Sequence, residues 1–390
     1  MSPRVPAAKA ALKVRTKGKD SPRIGAHVSS AGHIDVAIDH GVELGAEMVQ
    51  IFGAAPQMWR RKEHPETDIA AFRAKAAEHG IGPNFIHGVY LTNLATADPE
   101  HLEKGVATLT ADMRLGSALG VAGVIFHVGS HKGLGFDHYL PQMAKAMRRV
   151  LDDSPDDIQL CIENNAGTGD SVCSSFEEIG RLMAAIGSDR VKVCVDTCHA
   201  YSAGYDLAVA EGLELALSEI EQEVGLGNVV AVHANDSKTP LGSGKDRHEN
   251  IGWGSIGTAG FRNLFQRGAF QNAAWMLEVP GFEGGGPDAL NLDILKAFRA
   301  GNRPPKIPDA PPPKERKSAR GGSAKDRASK SGVKPGVKPV LKPGAAKKAP
   351  AKVTKKRAVA AAKKTAPAKN AHKSRATKSG TKKPARAKQA

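Results

Sequence analysis

The 390-residue sequence is poor in cysteine, with only Cys161, Cys173, Cys194 and Cys198. Four are too few for a disulfide framework, and three lie in or beside apolar strand-like runs. A reducing, intracellular setting is therefore expected, with cytoplasm or nucleoid in a bacterium and the nucleus elsewhere both compatible. No run of about 18 apolar residues occurs, so no membrane span is expected. The basic N-terminus lacks an apolar h-region, so no secretory signal is expected either. Aromatic residues make up 5%, and none follows Phe298. No G-x-G-x-x-G follows the first apolar run, which counts against a doubly wound dinucleotide-binding sheet.

Charge is present but unevenly placed. Residues 303–390 hold 28 Lys+Arg against 3 acids, and residues 1–20 hold 6 against 1. The stretch between them carries 22 basic and 36 acidic residues, a net of −14 inside a chain of net +16. The sequence thus divides into a basic N-terminal segment (1–22), an acidic body (23–302) and a basic tail (303–390). The body is long enough to bury one full core. The tail opens on the Pro-rich "RPPKIPDAPPPKERK" and continues in Lys-Pro and Ala-Lys-Lys units. Such a composition cannot offset its ordering entropy by burial and is expected to be disordered. Its charge suits a DNA-binding arm, with a merely solubilising tail as the plainer option.

The body has a rhythm. Apolar β-rich runs fall at Ile24–Val28, Met48–Phe52, Asn84–His87, Val124–Val128, Ile158–Glu163, Val191–Asp196, Val229–His233 and Trp275–Val279. Helical periodicity fills most gaps, as in Leu102, Val106, Leu109 and Met113, or Phe176, Ile179, Leu182 and Ile186. Eight strands alternating with helices predict an α/β fold, a single (β/α)8 TIM barrel.

Polar residues sit where these runs end. His87, Glu163, Asp196 and His233 end four of them, and His127 and Glu278 lie near the ends of two more. C-terminal strand ends converge at one mouth of a barrel. Six such groups there need a partner to be tolerable, and a divalent cation supplies one, since imidazole and carboxylate are ordinary zinc ligands. "VDTCHA" adds His199 three residues after Asp196, and "DRHEN" adds Asp246 and His248. Nine candidates exceed what one catalytic zinc takes, so two or three metals are expected. Clustered metals suit phosphate-ester hydrolysis, because they supply hydroxide at neutral pH and neutralise the attacking and leaving oxygens. Cys194 alternates with Val193 and Val195 and reads as packing; Cys198 is open between packing and ligation.

The motifs "IGAHVSSAGH", "HGVYLTNLA", "FHVGSH", "IENNAG", "VDTCHAYSAGYD", "HANDSK", "DRHENIG" and "LEVPG" resemble, in order, those of the endonuclease IV family of apurinic/apyrimidinic endonucleases. The resemblance spans roughly Arg23 to Phe298 and none of the tail. It implies a TIM barrel holding three Zn2+ ions: His87, His127 and Glu163 on one; Glu163, Asp196, His233 and Glu278 on a second; His199, Asp246 and His248 on the third. It implies Glu163 as the bridging, catalytic carboxylate. The implied substrate is double-stranded DNA with abasic sites, cut on their 5′ side to leave 3′-hydroxyl and 5′-deoxyribose phosphate ends, or DNA with 3′-blocked ends. A monomer is implied, and Tyr90 and Leu91 match the pair that enters the duplex at the lesion. Three positions depart from the pattern: Gln57 stands where Arg is usual, Trp253 where Glu is usual, and Val279 where Thr is usual. Trp253 could stack on DNA or pack. Two other functions compete, a metal-dependent sugar isomerase or epimerase on the same barrel and a non-enzymatic DNA-compacting protein. The first leaves Asp246, His248 and the tail unexplained; the second leaves the full ligand set unexplained.

Overall fold

The eight apolar runs become eight parallel strands that close on themselves. The structure is a computed structural model, and it describes residues 21–310. Most of the expected N-terminal segment and basic tail lies outside these residues. In chain order the strands are β1 (Ile24–His27), β2 (Val49–Phe52), β3 (Phe85–His87), β4 (Gly123–Phe126), β5 (Gln159–Glu163), β6 (Val191–Asp196), β7 (Val229–His233) and, after a hairpin, β10 (Ala274–Leu277). Each pairs in parallel with its neighbours, and β10 closes the barrel between β7 and β1. The expected TIM barrel is the fold.

Helices cover the outside: α1 (Val36–Leu44), α2 (Glu66–His79), α3 (Pro99–Leu119), α4 (Phe136–Asp152), α5 (Phe176–Ile186), α6 (Thr197–Ala203), α7 (Ala210–Glu223), α8 (Gly257–Gln266) and α9 (Ala289–Arg299). Their limits have local causes. The Ser175 side chain accepts from Glu178 N at 3.2 Å to start α5, while the Glu178 carboxylate accepts from Cys173 N. The first bond caps a free N–H of the first turn, and the second ties Glu178 to the backbone just before the helix. Gly187, left-handed at φ 68°, ends it. Phe176, Ile179, Leu182 and Ile186 are all buried, each contributing about 1.5–3 kcal/mol. No helix among the described residues is long and apolar enough to cross a membrane.

The inside of the barrel explains the site. Met48, Phe85, Ile125, Cys161, Cys194, Ala231 and Met276 form a packed apolar cluster separate from the main core. Side chains alternate in and out along a strand. Two residues further on, every strand therefore sends its next inward side chain to the mouth. A hairpin with no counterpart among the expected runs, β8 (Asp236–Ser237) with β9 (His248–Glu249), hangs beside that mouth and carries His248. The chain after α9 runs on as coil through Ala310. Ile307 packs against the core, and Pro308 O accepts from Trp253 Nε1 at 2.7 Å.

Candidate metal centre

The alternation rule places eight residues in one polar layer: His27, Gln50, His87, His127, Glu163, Asp196, His233 and Glu278. Six are the candidates expected from the strand ends. His27 and Gln50 are not among those candidates, although they follow Gly25 and Met48 by the same two residues and so obey the same rule.

Glu163, fully buried, is the centre. Its Oε2 lies 3.0 Å from His87 Nε2 and 3.5 Å from His127 Nε2. Its Oε1 faces the other way, 2.9 Å from His233 Nδ1 and 3.3 Å from His199 Nδ1. Around His233 Nδ1 gather Glu278 Oε2 at 3.4 Å and Asp196 Oδ2 at 3.8 Å. A third group lies at the rim: Asp246 Oδ1 is 3.3 Å from both His199 Nε2 and His248 Nε2, which are 3.5 Å apart. All nine candidate residues are thus brought together, in two inner groups that share Glu163 and a rim group that adjoins them at His199.

Backbone features aim these groups. Asp196 caps α6: its Oδ1 accepts from His199 N at 2.8 Å, and Asn235 Nδ2 donates to its Oδ2 at 2.7 Å. The cap also sets His199 on the first turn, facing the mouth. Three imidazoles donate their far nitrogen to a backbone carbonyl: His87 Nδ1 to Gly88 O at 2.7 Å, His199 Nδ1 to Asn164 O at 3.0 Å, and His248 Nδ1 to Glu278 O at 3.2 Å. Each then turns Nε2 inward, the nitrogen with which it could meet a metal.

The electrostatics fit a cation. Burial opposes the charge on Glu163, but His127, His233 and His199 outweigh it and hold the carboxyl well below the usual carboxylate range. Burial likewise opposes the His199 imidazolium, yet Asp196, Asp246 and Glu163 hold it well above an ordinary histidine. At the rim, burial works against the charge on Asp246, and His199 and His248 still bring its carboxyl down to about 2. The carboxylates that raise His87, His199 and His233 give this part of the pocket a negative potential, which favours a divalent cation displacing those protons, while burial lowers His27 and His127. In four of the groups their donor atoms lie within 4.8 Å of one another: His87–Glu163–His233, His127–Glu163–His199, Asp196–His199–His248 and Glu163–Asp196–His233–Glu278. His127 Nδ1 is buried with no partner. The donor set is that of N/O metal sites.

The remaining sequence candidates divide. Tyr90, 57% exposed, stands at the rim with its ring 5.8 Å from that of His87 and 5.5 Å from Phe52. Leu91 follows it and lines, with His127, His199 and Asp246, a cleft of about 620 Å³. Gln57 is exposed on the loop after β2. Trp253 packs, its ring edge-on to Phe282 at 4.8 Å. Val279 is buried in the core. Cys194 packs in the inner apolar cluster. Cys198 is buried with Sγ 3.5 Å from Arg247 O, burial pushes its thiol up to about 12, and its Sγ also lies within 4.8 Å of donor atoms of Asp246 and His248.

The chain closes into a parallel barrel with a His/Asp/Glu pocket at its C-terminal mouth, and the family model of the xylose isomerase-like TIM barrels matches residues 38–300. Two curated relatives carry the name "Probable endonuclease 4". That of Methanoculleus marisnigri is 39% identical over 259 residues, 66% of this chain and 92% of the relative. That of Halorhodospira halophila is 37% identical over 295 residues, 74% of this chain and 98% of the relative. The crystal structure of endonuclease IV from Thermus thermophilus superposes with a TM-score of 0.63 at 34% identity, covering 72% of this chain and 100% of that one. A D-tagatose 3-epimerase-like protein, 16% identical with a TM-score of 0.54, shares the fold alone. The chain belongs to the endonuclease IV family.

Proposed function

We propose that the chain is a DNA-repair endonuclease that hydrolyses the phosphodiester 5′ to abasic sites and also acts on 3′-blocked ends. The observation that carries this is the convergence of nine imidazole and carboxylate groups into three adjoining sets about Glu163. An epimerase reading has no use for the third set, His199, Asp246 and His248. His87, His127 and Glu163 would hold one Zn2+, Glu163, Asp196, His233 and Glu278 a second, and the rim set a third. When bound, such ions supply hydroxide near neutral pH and offset charge on the attacking and leaving oxygens.

The chain's own residues do the rest. Glu163 faces both inner sets, so it orients the attacking water between them and takes part in moving its proton. The new bond joins that oxygen to phosphorus, the bond to the 3′-oxygen breaks, and a 3′-hydroxyl and a 5′-deoxyribose phosphate result. Tyr90 and Leu91 enter the duplex where the base is missing; extrusion is cheapest there because no pair opposes it. The acidic body is repelled by DNA at long range, and the basic residues of 303–390 offset this as a tether. Binding should then weaken with salt by a log–log slope of roughly −0.9 per phosphate neutralised. We assign the enzyme to an intracellular setting, acting as a monomer.

A nicking assay on a duplex with one abasic site tests the reading. Cleavage 5′ to the lesion that stops with a strong chelator and returns with Zn2+ is expected. Chelator-resistant cleavage, or none with metal-loaded protein, overturns it.

A further inference from the structure

The polar layer has eight members and the proposed metal sets use six of them. The other two, His27 and Gln50, stand side by side on β1 and β2, whose register pairs them directly. Gln50 is fully buried, and its amide makes three contacts. Its Nε2 is 2.7 Å from Glu278 Oε1 and 3.0 Å from His27 Nδ1, and its Oε1 is 2.9 Å from His233 Nε2.

These contacts fix one another. A carboxylate only accepts, so the amide must turn its NH2 toward Glu278. The amide oxygen then faces His233 and also only accepts. His233 Nε2 must therefore donate to it, which makes Nδ1 the nitrogen available to a cation. That Nδ1 is the atom facing Glu163, Glu278 and Asp196. His87, His199 and His248 have their outer nitrogens held by backbone carbonyls, which no substitution removes. His233 alone among these four depends on a side chain.

We propose that Gln50 is a positioning residue that orients His233 through its Nε2–H and ties it to Glu278, so that both present their inner atoms to one cation. The inference rests on the reading that Glu163, Asp196, His233 and Glu278 hold a metal. An apolar residue at position 50 leaves His233 Nε2–H buried without an acceptor. The imidazole then loses the acceptor that orients it, and turning Nδ1 to the cation no longer satisfies Nε2–H. Glu278 at the same time loses its tie to the β2 side of the ring.

The test uses the full chain and Zn2+ alone. Gln50→Met keeps the volume and removes every hydrogen bond. Zn2+ affinity is measured by competition with a chromophoric chelator, and bound zinc by elemental analysis. Wild type should hold three. The variant should lose affinity at one site by about 10–100-fold and keep the other two. In zinc-loaded protein labelled with 15N-histidine, wild type should show one imidazole bound through Nδ1 with Nε2 protonated, and the variant should lose that pattern while the other ligand imidazoles keep theirs, which a general loosening would not produce. If Gln50→Met does not fold, Gln50→Leu carries the same measurements. Wild-type affinity at all three sites in a folded variant overturns the clamp while leaving the nuclease reading intact. Equal weakening of all three sites also overturns it. Wild-type protein that takes up no zinc brings down the nuclease reading and the clamp with it.

Discussion

The mouth of this barrel is built in two ways. The polar ring is set by strand register: each member sits two residues beyond an interior residue of the barrel, and five of the eight, Gln50, His87, Glu163, Asp196 and His233, are buried. The loops above it are set by a few individual contacts. In the loop after β2, Arg61 Nη1 lies 2.7 Å from Asp112 Oδ1 of α3, and Tyr90 N donates to Pro56 O at 2.9 Å. Gly53 has no room for a side chain, since a Cβ there would lie 1.9 Å from Asp112 Oδ1. Chemistry therefore rests on a frame that cannot shift without breaking the barrel. Substrate contact rests on loops that single changes can release, and it is in those loops that two of the departures from the family pattern, Gln57 and Trp253, occur.

The largest effect should come from the ring. Glu163→Gln removes the one carboxylate that faces both inner sets and leaves four imidazoles without their central counter-charge. We expect kcat for abasic-site cleavage to fall on the order of 10³-fold, with zinc content reduced as well. A variant within about tenfold of wild type at full zinc loading would show that the ring has no such centre.

The loop contact with Asp112 should be next. Burial pushes the Asp112 carboxyl up to about 6 from 3.8, outweighing the Arg61 guanidinium. The two meet at ion-pair distance, yet neither carboxylate oxygen gains a well-aligned hydrogen bond. Because the folded value is the higher one, the associated stability is full below about pH 4 and is lost as the pH rises through about 6. A shift of about two units corresponds to about 3 kcal/mol. Denaturant unfolding of chelator-treated wild type and Asp112→Asn from about pH 4 to 7 should therefore diverge by about that much, the variant gaining relative to wild type. Parallel curves would mean that Asp112 is not desolvated as described.

The same division decides what is legible from the sequence. The barrel and the nine ring and rim candidates are readable, because strand ends and a period of two are written in the order of residues. His27 and Gln50 obey that period, but Gln50 is neither imidazole nor carboxylate, and a search by ligand type passes over it. The β8–β9 hairpin is not readable, since two-residue strands carry no periodic signal. The packing of Trp253 depends on Phe282 and Pro308, partners 29 and 55 residues away, and no local pattern links them.

Tyr90 separates the two regions at smaller scale. It touches His87, yet 57% of it is exposed. If it belongs with the loops, Tyr90→Ala should leave zinc content unchanged and weaken binding of an abasic duplex about tenfold, the size of one lost stacking contact. Titration of a fluorescent duplex measures this. A loss of zinc with unchanged DNA affinity would move Tyr90 into the ring.

The smallest effect concerns residues 303–310, where composition alone would place the start of the tail. Ile307 packs over Gly252, whose added Cβ would meet its Cδ1 at 2.8 Å, and the Trp253 indole donates to Pro308 O. Residue 253 lies in the loop that follows His248, so this short run of coil braces the segment holding the rim set. Chains ending at 302 and at 310 both lack the residues that follow and differ only in that brace. The shorter chain should melt about 2–4 °C lower, from about 1 kcal/mol of lost hydrogen bonding and packing. It should also hold zinc less tightly at His199, Asp246 and His248 than at the inner sets. Identical melting and zinc retention for the two chains would make residues 303–310 a bystander, and the ring and rim would then be held without help from beyond α9.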